Sequence, residues 1–407
     1  MVQTLVDKTE QRWQIFLTFA ANLYLFFLCS TKWNAGVSIS AGLVGVAILF
    51  FYGYKKKKVQ WPQKLFLFPY LLFMGTVLLA SFLTGDAPSI KVSHNFLSYS
   101  LPFWLLYLAL VQKKNAFISE VQWGAIAGTW VLNIQAIYQM FLPLKDNRIT
   151  AGFTSANNFA MCLESILPLL WVNTFVLWKH YKNNQTKIAY FYFSFISAAM
   201  ATFFLFLSGS RGGIAGFLIG IFILGIFSLL HNTKKLSCKE KIGVFFLSLC
   251  ICGSVSFTAT LKMDSRSYDG ERILLLKSAY AMWQDHKVYG VGFQRWNQVY
   301  RAKYILPEAK EPTLSLAHNN IANFFSGTGT IGGIGYLTFV FATLSLLLKK
   351  INDDPNDISA KMMVWIWMAI FVHGFVDNSL YAKFNTRLYW AMWGITLASL
   401  RRDEGET

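Results

Sequence analysis

At 407 residues, with 55% hydrophobic and 17% aromatic content, the chain has room for one large membrane domain or for two or three soluble ones. Roughly twelve apolar runs approach the length that crosses a hydrocarbon core of about 30 Å, which excludes an ordinary soluble fold. A net charge of +17 would suit a nucleic-acid partner, but the distribution of the charge excludes one: with the N-terminus in the cytosol, 21 of the 37 basic residues fall in cytosolic segments and seven in short outer connections. The other nine lie in one long polar interval, residues 262–320. The sequence thus predicts an all-α polytopic membrane protein, a single domain over 1–407. It should have about twelve transmembrane helices, both termini cytosolic, and a large outer loop, 262–320, between helices nine and ten.

Span one, Trp13–Ser30, lacks a small-residue cleavage site at Phe26-Phe27-Leu28 and is read as a span, not a signal peptide. Span two, Ala35–Tyr54, ends on Lys55–Lys58, either a topology anchor or a lipid-headgroup site. Span three, Leu65–Leu83, leads to an outer loop with Asp86, Lys91 and His94, and span four, Phe96–Val111, carries Pro102. Cys29, Cys162, Cys238, Cys250 and Cys252 lie in apolar runs or on the cytosolic side, so neither a disulfide framework nor a metal-spaced pair is expected.

Span five, Phe117–Leu142, ends in an outer loop running through Lys145 and Arg148 into Gly152 and Asn158. Span six carries Glu164 in apolar sequence, where a charge costs about 2.5 to 3.5 kcal/mol on insertion scales. Asn157, Met161 and Glu164 share one helix face by their i, i+4, i+7 spacing. That stripe either faces a polar cavity or holds a hydrogen-bonded structural glutamate. Spans seven, Ile188–Leu207, and eight, Gly213–Leu230, are joined by Ser208-Gly209-Ser210-Arg211-Gly212-Gly213 on the outer side. A guanidinium beside a helix N-terminus is suited to bind an anion, the plainer reading being an interfacial arginine reaching headgroups.

Span nine, Ile242–Leu261, delivers the chain into the long loop. Asp269 caps a predicted helix with Arg272 in its first turn and Ile273, Leu276, Tyr280 and Trp283 at helical spacing, placed to lie on the membrane surface or on the bundle. Gly290 and Gly292 break it, and the aromatic, basic stretch Phe293–Tyr304 suits interfacial anchoring or sugar stacking. His318-Asn319-Asn320 opens a Gly-rich re-entry before span ten reaches Leu348. Span eleven, Met363–Asn378, holds His373 and Asp377 near its outer end, and Lys383 and Arg387 precede span twelve, Tyr389–Leu400. No phosphate loop, paired-Asp motif or internal repeat is evident, so neither metal nor cofactor is expected, and arginines would have to neutralise a substrate's phosphates.

Four motifs in this order, G-F-T-S-A-N-N-F-A (Gly152–Ala160), S-G-S-R-G-G (Ser208–Gly213), Arg272 with V-Y-G-V-G-F from Val288, and A-H-N-N from Ala317 followed by G-T-G-T-I-G-G from Gly327, resemble the O-antigen ligase and polymerase superfamily over about residues 150–390. The resemblance implies a GT-C-type membrane fold in the bacterial inner membrane with a periplasmic active site and no metal. It implies as partners an undecaprenyl-diphosphate-linked glycan as donor, the lipid A core or another glycan as acceptor, and membrane lipids. Arg211 and Arg272 would match the family's donor-diphosphate arginines and His318 its loop-end base, with Asn157, Glu164, Asn319, Asp377 and Arg387 as supporting candidates. The sequence departs from the pattern at Ala317, where many members carry a second His or another polar residue, and in its modest loop. The implied reaction is inverting transfer of the glycan to an acceptor hydroxyl. The alternatives are a polysaccharide polymerase with the same donor and, from another class, a lipid-linked glycan flippase or transporter.

Overall fold

The computed structural model describes residues 2–30, 42, 44–51, 53, 60–111, 118–144, 147–232, 268–310, 314 and 316–400. Their regular structure is helical: α1 (Val2–Ser30), α2 (Lys64–Leu83), α3 (Ala87–Ser98), α4 (Leu101–Val111), α5 (Ile118–Met140), α6 (Ala156–Lys182), α7 (Ile188–Leu207), α8 (Arg211–Asn232), α9 (Tyr268–Asp285), α10 (Asn320–Asp353), α11 (Ile358–His373) and α12 (Lys383–Leu400). Among these residues five helices, Gln11–Ser30 of α1, α2, α6, α7 and α10, are long and apolar enough to cross a membrane, and Arg211–Phe227 and α11 are shorter apolar helices. Half of span two, Lys55–Lys58 and all of span nine lie outside the described residues.

Several starts follow from capping, in which a short polar side chain satisfies an amide left without a helical partner. Asp86 accepts from Ser89 N at 2.9 Å, Ser155 from Asn158 N at 3.1 Å, Asn319 from Ala322 N at 2.9 Å and Asp357 from Ala360 N at 2.8 Å. The expected loop with Asp86, Lys91 and His94 is therefore a helix, α3, and span four is interrupted at Tyr99-Ser100 before α4. Span eleven ends at His373, which puts Asp377 in the connection to α12.

At the centre lie α6 and α12, the latter buried along nearly its whole length. Helix α2 runs antiparallel to α10, Phe66 meeting Phe339 at 6.0 Å and Phe73 meeting Phe324 at 5.2 Å between ring centroids, with Trp393 of α12 at 4.9 Å from Phe66. Helix α8 packs on α11 through Gly212, Gly216 and Gly220. A Cβ at each would meet His373, Ala369 and Trp365 in turn. In lipid, helices gain little from the hydrophobic effect, and small residues at a spacing of four let backbones close to contact distance.

Helix α10 is interrupted at Gly329, whose φ of +63° is left-handed. The loop fills the gap: Val291 N donates to Ser326 O at 2.9 Å, Gly292 N to Gly327 O at 3.0 Å and Thr330 N to Lys287 O at 2.8 Å. Any Cβ on Gly329 would run into Val288 O and Tyr289 N, so both glycine clusters serve one close backbone docking. The segment joining α9 to α10, the expected outer segment, has its own small core of Leu275, Ala279, Met282, Trp296, Tyr300, Tyr304 and Ala317. Ile273, Leu276 and Tyr280 form the exposed side of α9, while Leu275, Ser278, Ala279 and Met282 face inward. One expectation is corrected there. Phe293, Trp296, Tyr300 and Tyr304 are interior residues, so they neither anchor at the interface nor stack on sugar.

Candidate functional site

The residues singled out from sequence gather where α6, α8, α10 and α11 meet the outer segment. His318, just before the cap of α10, has a left-handed φ of +47°, a conformation that costs a non-glycine residue about 1 kcal/mol or more and is held only where its surroundings enforce it. Here they do: Asn319 Nδ2 donates to Phe375 O at 3.0 Å, Asn320 N to Gly374 O at 2.7 Å, and Asn320 Nδ2 to Ser379 Oγ at 2.7 Å. The His-Asn-Asn segment is thus tied to the connection 374–379. Through that tie the His318 ring comes to Asp377, Nδ1 to Oδ1 at 2.9 Å.

Asp377 is the hub. Its Oδ2 accepts from Asn157 Nδ2 at 2.6 Å, and its Oδ1 accepts from Asn378 N at 2.8 Å. Burial alone would raise its carboxyl, but the hydrogen bond and charge of His318, with the charge of His373 and the Asn378 amide, outweigh burial and hold it below the usual carboxylate range. A carboxylate only accepts, so His318 Nδ1 carries the hydrogen, and in the neutral imidazole Nε2 is the accepting nitrogen.

From Asn157 the network continues to a residue the sequence reading passed over. Arg148 Nη2 donates to Asn157 Oδ1 at 2.7 Å and its Nε donates to Ser208 O at 2.7 Å, three residues before Arg211. A second set of contacts reaches the same junction. His373 Nδ1 lies 2.6 Å from Glu164 Oε1, and its Nε2 lies 3.4 Å from Ser210 Oγ. A Cβ on Gly213 would come within 2.6 Å of Glu164 Oε1, and one on Gly212 within 2.6 Å of His373 Cδ2, so the two glycines let this buried pair lie against the first turn of α8. Arg211 is the first residue of α8, and Arg272 of α9 is near enough for its charge to act on His373.

Asn157, Glu164, His318, Asn319 and Asp377 are therefore drawn into one cluster, with Arg211 beginning the helix whose first turn lies against it and Arg272 within electrostatic range of His373. Of the two readings of Glu164, the hydrogen-bonded one describes it: the side chain is fully buried on His373. The Arg387 guanidinium lies 5.2 Å above the Tyr99 ring. His373 and Ser210 could have been found from sequence, since the Gly212, Gly216, Gly220 stripe announces a close partner helix. A lone Arg148 in a loop carries no such signal. No group of three or more His, Cys, Asp or Glu that would hold a metal ion occurs among the described residues.

A helical, multi-pass membrane protein with a cationic, hydrogen-bonded site at one end of its bundle is the class these observations define. Residues 196–337, from mid-α7 into α10, match the family model described as O-Antigen ligase, so this stretch of the chain is similar to that family. The match takes in Arg211, Arg272 and His318 and supports an enzyme activity of the O-antigen ligase or polymerase type. Among curated proteins none matches the chain.

Proposed function

We propose that this protein transfers a glycan from undecaprenyl diphosphate to a sugar hydroxyl at the periplasmic face of the bacterial inner membrane, the acceptor being the lipid A core. The observation that carries this reading is the convergence of His318, Asp377, Asn157 and Arg148 in one hydrogen-bonded line ending at Ser208, beside Arg211. Arg211 and Arg272 bind the donor diphosphate, for which the guanidinium fork is suited. His318 Nε2 takes the acceptor proton as the new glycosidic bond forms and the bond from the anomeric carbon to the diphosphate oxygen breaks. Undecaprenyl diphosphate leaves with that electron pair, and the proton passes from His318 to water. The leaving group is already a weak base, so fixed positive charge is what its departure needs, and no general acid. Base catalysis of this kind contributes typically about 10² to 10⁴ in rate. Attack opposite the diphosphate inverts the anomeric centre.

Asp377 fixes the tautomer and orientation of His318, Asn157 and Arg148 brace Asp377, and the Glu164–His373 pair seats the first turn of α8, all as positioning residues. Arg211→Ala, Arg272→Ala and His318→Ala should each leave the protein inserted and abolish lipopolysaccharide carrying O-antigen. Normal glycan attachment in the His318→Ala strain refutes the base assignment. The polymerase reading has the same donor and the same residues. A deletion strain separates the two: a ligase loses glycan on lipid A core, a polymerase loses chain length. A flippase would not depend on His318.

A further inference from the structure

At the far end of the bundle from His318, a cavity of about 770 Å³ opens between the start of α2 and the end of α10. Helix α10 begins beside the candidate site at Asn320 and runs from Gly329 to Asp353, about 36 Å at 1.5 Å per residue, enough to cross the bilayer core. Because α2 is antiparallel to it, Lys64 meets Lys349 and Lys350 at the opposite surface. The cavity is lined by these three lysines, with Trp61, Gln63 and Asp353 at its polar margin. Its charge is thus net positive, three ammonium groups against one carboxylate. Lys64 and Lys349 form no ion pair with a carboxylate among the described residues.

The surroundings select the kind of anion. Leu65, Phe68 and Leu72 follow Lys64 along one side of α2, and all three are exposed, Phe68 by 62%. Leu65 and Phe68 themselves line the cavity. A free phosphate would use the lysines and leave this strip bare, whereas a phospholipid uses both, its headgroup among the ammonium groups and its acyl chains down the strip. Trp61, 53% exposed at the rim, is the residue type that favours the level where headgroup meets chain. Basic pockets between membrane helices are suited to phosphate headgroups, and a concave one offers several lysines to a single phosphate.

We propose that this cavity is a binding site for an anionic phospholipid of the leaflet opposite the transfer site. The inference stands apart from the glycan-transfer reading, since it uses none of the same residues.

The test is native mass spectrometry of the purified full chain, titrated in detergent with dioleoyl phosphatidylglycerol or dioleoyl phosphatidylcholine. Wild-type protein is expected to retain the anionic lipid at least tenfold more strongly. Lys64→Gln/Lys349→Gln/Lys350→Gln should remove that preference, while the corresponding Lys→Arg variant keeps it. Lys179→Gln/Lys182→Gln is the control: it alters lysines at the same end of the bundle that lie over Phe175 and Trp178, away from the cavity, and should not change it. Should the triple variant not insert, Lys349→Gln alone should weaken retention severalfold. Equal retention of the two lipids by wild-type protein, equal loss in the control variant, or undiminished retention in the glutamine variants overturns the proposal. So does displacement of the lipid by millimolar inorganic phosphate, which would make the cavity a plain anion site.

Discussion

Replacing Arg148 with alanine removes two short hydrogen bonds at once, to Asn157 Oδ1 and to Ser208 O, both 2.7 Å. Bonds from a charged donor contribute roughly 1.5 to 3 kcal/mol each. Arg148 is only half-buried, so solvent screening reduces the pair to about 2 to 4 kcal/mol. If the bonds serve to hold Asp377, and through it His318, in register with the Arg211 junction, the loss falls on the transition state. At 1.36 kcal/mol per decade that is on the order of 10²-fold in kcat. Lysine restores a charge but not the fork that reaches both acceptors, so Arg148→Lys should recover only part of the rate.

The assay is transfer by purified protein in proteoliposomes, with lipid-linked glycan as donor and kcat and KM measured separately. A residue that acts through His318 has little left to affect once His318 is gone. The loss in Arg148→Ala should therefore shrink greatly in a His318→Gln background if residual turnover is compared. Additive losses in the double variant, or wild-type turnover by inserted Arg148→Ala, would refute the bracing role.

Gly329→Ala places a side chain in a left-handed position against Val288 O and Tyr289 N, and should lower stability by about 2 kcal/mol or more, read as a fall in the detergent melting temperature; an unchanged melt contradicts the docking. Because the Asp377 carboxyl is held below its ordinary value, its contribution to stability is fully present above about pH 4 and is lost only as pH falls through the depressed value. The difference in melting between wild type and Asp377→Asn should accordingly stay level from about pH 6 to about pH 4.5, and a difference that closes in that range falsifies the assignment. Transfer should survive EDTA, since arginines and not a divalent ion neutralise the diphosphate in the proposed reaction; complete loss restored by magnesium would overturn that part of it.

The helices were legible wherever an apolar run ends on polar residues. Ile188–Leu207 emerges with the expected limits because Lys187 and Ser208 bracket it. Less legible was the interruption at Tyr99-Ser100, although Asp86 followed by Pro88 is a helix-start signal that could have been read. For Phe293–Tyr304, composition states that aromatic rings are present and not which side of them is covered. Trp296 and Tyr300 turned out to stack on each other inside the outer segment, centroids 4.6 Å apart. The site was legible as single residues, His318 and Arg211 above all, but not as a network. Asn157 and Asp377 are 220 positions apart, and nothing in either neighbourhood names the other.

The stitching of residues 287–292 onto the rim of the Gly329 interruption makes the arm that bears Arg272 and the arm that bears His318 move as one piece. A rigid jaw of this sort cannot open by swinging the outer segment away from α10 without tearing several main-chain bonds. In the proposed reaction a lipid-linked donor therefore reaches the site without the outer segment swinging away from α10.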